Sequence, residues 1–306
     1  MTPPSSARGL GRLAETPYLL LTLAPLFWSG NFVLGRAVHA DVPPVALAFW
    51  RWALGFLIVL PFAWKALRRD RAAIRQGWKM LAVLAFLGIA AFNTLVYLGL
   101  QTTTAISGLL MQSTMPVLIM ALSFVLLGDR ITPRQGVGVV VSLVGAVVVI
   151  TRGDMGALVG LALNRGDLLI FLAVVGYAFY SVLLRRRPPI GPVSFLAVTF
   201  GMGAAMLLPL VAWEGMTGRV PELNRVTLLS VGYVTVFPSI LAYLCFNRGV
   251  QLVGPNRAGL FIHLLPLFGS VLAVMLLGEA FLPAHAIGMA LILGGIALAT
   301  LGPKAV

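Results

Sequence analysis

The stretch YLGLQTTTAISGLLMQSTMPVLIMALSFVLLGDRITP (residues 97–133) returns, degraded but without a gap, as NRGVQLVGPNRAGLFIHLLPLFGSVLAVMLLGEAFLP (residues 247–283). A constant offset carries Gly99 onto Gly249, Gln101 onto Gln251, Leu110 onto Leu260 and Pro116 onto Pro266. Leu122, Leu126, Leu127 and Gly128 fall on Leu272, Leu276, Leu277 and Gly278, and Asp129 meets Glu279. Further on, Pro133 meets Pro283, Gly138 meets Gly288 and Gly145 meets Gly295. What recurs is what chance would least favour: prolines, glycines and the single acidic turn residue. The chain therefore reads as two copies of a unit of about half its length.

Of the 306 residues, 59% are hydrophobic and 10% charged, against about 25% charged in soluble domains. A mean hydropathy of +0.99 over this length describes a polytopic helical membrane protein, with the bilayer as a partner, and excludes a soluble core. The net charge of +13 would otherwise suggest nucleic acid. Here the positive residues lie between apolar segments, where they orient a membrane protein, so no nucleic-acid partner is expected. The single cysteine, Cys245, excludes a disulfide framework and any multi-cysteine metal site. No cofactor is implied. Arg8 and Arg12 precede an apolar run too long for a cleaved signal peptide, so it reads as a retained first helix.

About 20 apolar residues cross a bilayer. On that scale the chain holds ten spans, at 17–37, 44–64, 79–100, 104–127, 133–151, 167–185, 192–213, 226–248, 255–277 and 283–302. Pro116 and Pro266 lie inside spans and are expected to kink rather than break them. Five spans per half is odd, so the second half must enter the membrane inverted. The charges agree. With the N-terminus inside, sixteen of the 22 Lys and Arg lie on inner segments, including the basic loop 65–79. Five lie outside, Arg36, Arg152, Arg165, Arg219 and Arg225, and Arg51 is left within a span. The positive-inside rule selects this orientation, with both termini cytoplasmic. The predicted fold is an all-α membrane protein of ten transmembrane helices in two inverted five-helix repeats, 17–151 and 167–302, after a cytoplasmic segment 1–16. Internal inverted repeats in a membrane protein predict a transporter whose site lies where the halves meet.

The paired turns Leu-Gly-Asp-Arg-Ile-Thr-Pro (127–133) and Leu-Gly-Glu-Ala-Phe-Leu-Pro (277–283) resemble those of the EamA-type branch of the drug/metabolite transporter superfamily. Leu26-Phe27-Trp28-Ser29-Gly30-Asn31-Phe32 is similar to the family's first helix, and Phe49-Trp50-Arg51 to its second. The resemblance covers nearly the whole chain. It implies a bacterial inner-membrane transporter working by alternating access. Within the family the chain looks most like exporters of amino acids, including aromatic ones. A cationic drug or a nucleotide sugar is the alternative cargo, and an integral membrane enzyme is a further alternative. Against an enzyme, there is no H-E-x-x-H, P-loop or G-x-S-x-G, and no catalytic residue is expected.

Candidate site residues follow from helical spacing. Asn93, Tyr97 and Gln101 stand four apart in the third span, on one face. Tyr243, Asn247 and Gln251 repeat the pattern in the eighth. Such stripes face protein or water, and are either pocket lining or interhelical glue. Gln101 and Gln251, near span ends, read as packing or capping. Trp28 and Asn31 lie one turn apart in the first span, and Tyr177 and Tyr180 occupy the matching place in the sixth. Together they predict an aromatic and amide cavity suited to an apolar side chain with a polar head. His263 is the histidine deep in a span; it reads either as structural or as pathway lining, with Ser113 its counterpart and Gln112 beside that. His39 and His285, near span ends, read as surface residues. Arg51 stands about two turns into its span, and is expected to snorkel to the outer face, with a substrate carboxylate as the alternative partner. All nine acids lie in loops or at span ends, which counts against a carboxylate relay for proton coupling.

Overall fold

The computed structural model describes residues 15–37, 42–103, 105–154, 156, 164–277 and 280–300. The segment before residue 15, His39, Asp41, Glu279 and Lys304 lie outside the described residues. The described chain is helical, with no strand among the described residues. The first half comprises α1 (Pro17–Ala37), α2 (Pro44–Gln76), α3 (Trp78–Gly99), α4 (Ala105–Ser113 and Met115–Leu127) and α5 (Pro133–Ile150). The second comprises α6 (Arg165–Leu183), α7 (Pro192–Met216), α8 (Arg225–Val253), α9 (Pro255–Leu260 and Leu264–Leu277) and α10 (Pro283–Thr300). Eight stretches, among them α2, α3, α5, α7, α8 and α10, are long and apolar enough to cross a membrane. Their outward faces carry exposed Leu57, Phe62, Val125, Leu172, Leu228 and Ile287. An apolar exterior of this extent needs lipid as its solvent.

The loop expected at 65–79 is largely helix. At 33 residues, α2 is about 50 Å long, well beyond the ~30 Å hydrocarbon core, and its end carries Lys65, Arg68, Arg69, Arg71 and Arg75 clear of the apolar segment.

The two prolines expected to kink their spans instead sit beside breaks. The α4 helix stops at Ser113 and restarts at Met115, and α9 is interrupted by a 3-10 turn at Phe261–His263. Pro116 falls in the first turn of the new piece, where its missing N–H would have found no partner anyway. A second paired irregularity was not anticipated. A π-helical turn interrupts α3 at Phe86–Ala91 and α8 at Thr235–Leu241, equivalent positions in the repeat. Pro238, inside the second turn, cannot donate to the Val234 carbonyl one turn back. The Ser239 hydroxyl takes that place at 2.6 Å.

Equivalent helices of the two halves pack against each other in antiparallel fashion. In α2 and α7, Glu214 accepts from the N–H groups of Val45 and Ala46 (3.2 and 2.7 Å) at one end. Trp52 meets Phe200 in the middle, at a ring-centroid distance of 4.8 Å. At the other end Asp70 Oδ2 accepts from Gly191 N at 2.9 Å. Each carboxylate thus caps the N-terminus of the partner helix, where donors lack intrahelical acceptors. In α5 and α10 the contact is backbone to backbone. A Cβ at Gly138 would stand 2.6 Å from the Gly295 carbonyl, and one at Gly145 would stand 2.7 Å from that of Gly288. A Cβ on Gly288 or Gly295 meets Gly145 O or Gly138 O at 2.7 and 2.5 Å. Only glycine allows this approach.

Candidate functional site

Arg51 is 1% exposed. It does not snorkel. On α2 it shares a face with the buried residues Leu47, Ala48, Trp52 and Gly55, while Leu57, Ile58 and Phe62 point outward. The face, not the depth, decides where its side chain goes. Its Nε donates to Ser239 Oγ (2.6 Å), and its Nη1 to Asn31 Oδ1 (2.9 Å), Asn93 Oδ1 (3.0 Å) and Tyr97 OH (2.9 Å). Nη2 donates to the Pro238 carbonyl at 3.2 Å, and the guanidinium carbon lies 4.7 Å from the Trp52 ring centroid. Every one of these partners is neutral. Taking an ion out of water costs several kcal/mol. Hydrogen bonds to a charged group return about 1.5–3 kcal/mol each, so dipoles hold the ion here and leave its charge uncancelled.

The π turns supply part of this setting. Pro238 O accepts from Arg51 Nη2 and also from Trp28 Nε1 at 2.9 Å. Its equivalent in the first half, Gly88 O, accepts from the Tyr243 hydroxyl. Each half's π turn therefore offers a carbonyl to side chains of the other half. Such turns free backbone groups and recur at functional sites.

Beside Arg51 lies a cavity of about 30 Å³, room for one or two waters. Among the residues expected at the site, Trp28, Asn31, Asn93, Gln112, Tyr177 and Tyr243 line it together with Arg51. Trp28 meets the rings of Tyr177 and Tyr243 edge-on at 5.9 and 6.0 Å. Phe92, Met115, Ile262 and Leu265 complete the wall. Spacing of polar residues could not find these four. Ser239 and Pro238 were also missed, although a proline inside an apolar span was a visible signal. The remaining residues form a layer behind. Tyr97 donates to Asn31 Oδ1 at 2.8 Å, and Tyr180 to Asn247 Oδ1 at 2.8 Å. Three groups on lining residues have no hydrogen-bond partner: Asn93 Nδ2, Gln112 Nε2 and the Tyr177 hydroxyl.

His263 does not reach this cavity. It is 0% exposed, with Nε2 2.9 Å from the Ser113 carbonyl and Nδ1 2.7 Å from Ser142 Oγ. A carbonyl can only accept, so Nε2 carries a proton; Ser142 Oγ, the partner of Nδ1, also lies 3.1 Å from the Val139 carbonyl, to which it can donate. Ser113 likewise turns its hydroxyl to Leu109 O at 2.9 Å. His285 is not a surface residue either; it is 4% exposed and its Nδ1 accepts from Leu282 N at 3.2 Å, at the start of α10.

A second, wider cleft of about 810 Å³ opens between the α4–α5 turn and the α8–α9 junction. Arg130, Arg185 and Arg257 line it beside one carboxylate, Asp129, to which Arg185 is paired at 2.8 Å.

Comparison with known proteins agrees with this architecture. The chain is 27% identical over 287 residues to the "Uncharacterized transporter YyaM" of Bacillus subtilis (strain 168), covering 92% of this chain and 93% of the relative. An "Uncharacterized transporter" of Archaeoglobus fulgidus is 26% identical over 285 residues, covering 92% and 96%. A solved crystal structure superposes with a TM-score of 0.77 at 23% identity, over 94% of this chain and 96% of the other. The EamA-like transporter family profile matches twice, once in each half, at residues 16–151 and 164–301. With nearly its whole length so matched, this multi-pass membrane protein belongs to the EamA-like transporter family.

Proposed function

We propose that the protein exports small organic acids, amino acids including aromatic ones foremost, across a bacterial plasma membrane by alternating access around the Arg51 cavity. The observation that carries this is a buried guanidinium with only neutral partners, set in a wall of Trp28, Tyr177 and Tyr243. A substrate carboxylate would meet the charge, and the rings would hold an apolar side chain. The same charge counts against a cationic drug. Ten crossings in two inverted halves fit the antiparallel pairing of α2 with α7 and of α5 with α10, and the sixteen inner positive residues favour cytoplasmic termini. At about 30 Å³ the cavity is contracted, so cargo enters only when the helices part. The π turns of α3 and α8 and the breaks of α4 and α9 supply the points where they can bend.

The test is flux of an amino-acid panel in liposomes holding the purified protein, with and without a pH gradient. Saturable movement of at least one amino acid down its gradient, lost in Trp28→Ala, is the expected result. No flux of any panel member would overturn the cargo assignment. A reporter fused after Lys304 should be active on the cytoplasmic side; activity only in the periplasm would overturn the inverted topology.

A further inference from the structure

The reading above takes the Arg51 cavity as the substrate site, and the inference here rests on it. What the cavity still lacks is informative. The oxygens around the guanidinium are occupied: Asn31 Oδ1 receives Arg51 and Tyr97, and Pro238 O receives Arg51 and Trp28, two donors for two lone pairs in each case. Asn93 Oδ1 also receives Arg51, which fixes the amide so that Nδ2 points away from it. The groups left over are mostly of the other kind, the Tyr177 hydroxyl, which can donate or accept, being the exception. Asn93 Nδ2 and Gln112 Nε2 are donors without acceptors, on side chains 1% and 4% exposed. One of the two Nη2 hydrogens of Arg51 likewise has no acceptor among the described residues. An unpaired buried donor costs about 1–3 kcal/mol, and here several are gathered beside one cation.

Charge points the same way. No carboxylate lines the cavity, so the site carries a net charge of about +1 when it holds only water. A zwitterion leaves that charge as it was. An amine doubles it, and a monoanion cancels it. In low-dielectric surroundings the neutral combination is strongly preferred. The wide cleft has three arginines against one aspartate, a local field that would gather anions. We infer that the Arg51 cavity is a receptor for apolar monoanions, so that aromatic carboxylates lacking an ammonium group, such as aryl-alkanoic and 2-oxo acids, bind more tightly than the corresponding amino acids. One backbone carbonyl argues for the opposite preference. The break in α4 leaves the Gln112 carbonyl outside the regular helical ladder, and an ammonium could use it. Neutral dipoles would have to offset a second positive charge there, and that is why the monoanion is favoured.

Four ligands sharing one phenyl ring decide the matter: 3-phenylpropanoate, phenylalanine, phenethylamine and 3-phenylpropanol. Affinity for each is measured on the purified full-length protein in nanodiscs. The expected order is 3-phenylpropanoate at least about tenfold tighter than phenylalanine, with the alcohol weaker and the amine weakest. Gln112→Met removes an unpartnered donor at nearly constant side-chain volume, so its melting temperature should hold while 3-phenylpropanoate binding falls about tenfold. Phenylalanine binding as tightly as, or more tightly than, 3-phenylpropanoate would overturn the inference and leave the transport reading standing. Preference for the carboxylate that Gln112→Met leaves unchanged would also overturn it, because the selecting site would then lie elsewhere. Binding of none of the four would overturn both this inference and the aromatic cargo.

Discussion

Two polar groups of similar size are buried in the apolar bundle, around Arg51 and around His263, and they are constructed differently. At His263 each ring nitrogen has one partner, Ser113 O on one side and Ser142 Oγ on the other, and nothing faces a cavity. At Arg51 the acceptors Asn31 Oδ1 and Pro238 O each hold two donors, while donors on the lining residues Asn93 and Gln112 are left over. A closed polar cluster stabilises one arrangement of helices, here α4, α5 and α9. An unclosed one is held in place for something that arrives later. Burial alone does not distinguish them, since both are essentially inaccessible in this conformation. The surplus of unpaired groups does.

The sharpest way to break this contrast is Arg51→Met. It removes the charge and all five donors, and flux in liposomes, normalised to reconstituted protein, should fall at least about 100-fold, the equivalent of one or two charge-assisted hydrogen bonds. Retained flux would show that the open cluster is packing. Thiol labelling gives the next largest effect. In a Cys245→Ser background, Gln112→Cys should react with a small polar thiol reagent at least about tenfold faster than Ser142→Cys, because a thiolate does not form in a dry site. Substrate should slow the first and leave the second alone; equal rates would erase the distinction. His263→Ala should act on stability. It leaves the Ser113 carbonyl without its partner, while Ser142 keeps the Val139 carbonyl, so the protein should lose about 1–3 kcal/mol and melt earlier, with KM changed by less than about twofold. A large KM change at constant melting temperature would move His263 into the pathway. The smallest effect concerns pH. With His263 buried away from the cavity and no carboxylate at the cavity wall, flux of a fully ionised carboxylate should vary less than about twofold between pH 6 and 8. A steep profile surviving His263→Ala would require a titrating group not identified in either cluster.

The repeat was readable because prolines, glycines and turn residues keep their register, and the family profile falls on the same two halves. Several cavity residues were readable for a different reason. Asn93 lines the cavity and Tyr97, four residues on, bonds Arg51 and Asn31 behind it, since a polar stripe on a membrane helix has few places to face. The rule fails one layer out: Asn247, on the matching stripe, accepts from Tyr180 behind the wall. Arg51 was misjudged because depth along α2 was weighed and the helix face was not, although Ala48, Trp52 and Gly55 mark that face in the sequence. The π turns had little chance of being seen. A π turn is one extra residue in a hydrogen-bond register, and FLGIAA at 86–91 differs in no side-chain property from an ordinary apolar turn. Phe92, Met115, Ile262 and Leu265 escaped because an apolar residue that meets substrate looks the same as one that meets lipid.

The glycine contact between α5 and α10 bears on how the protein is made. Gly138 and Gly145 find Gly295 and Gly288 only when the last helix is present, and more than 130 residues separate Ile150 from Pro283. At about 5–20 residues per second of synthesis, α5 waits on the order of 10 s in the bilayer with its groove unfilled. The two surfaces are near copies, so during that interval a neighbouring nascent chain offers α5 a close match for its absent partner. Crowded ribosomes on one message would therefore favour half-built pairs, and arrival of α10 is the step that would end the exposure.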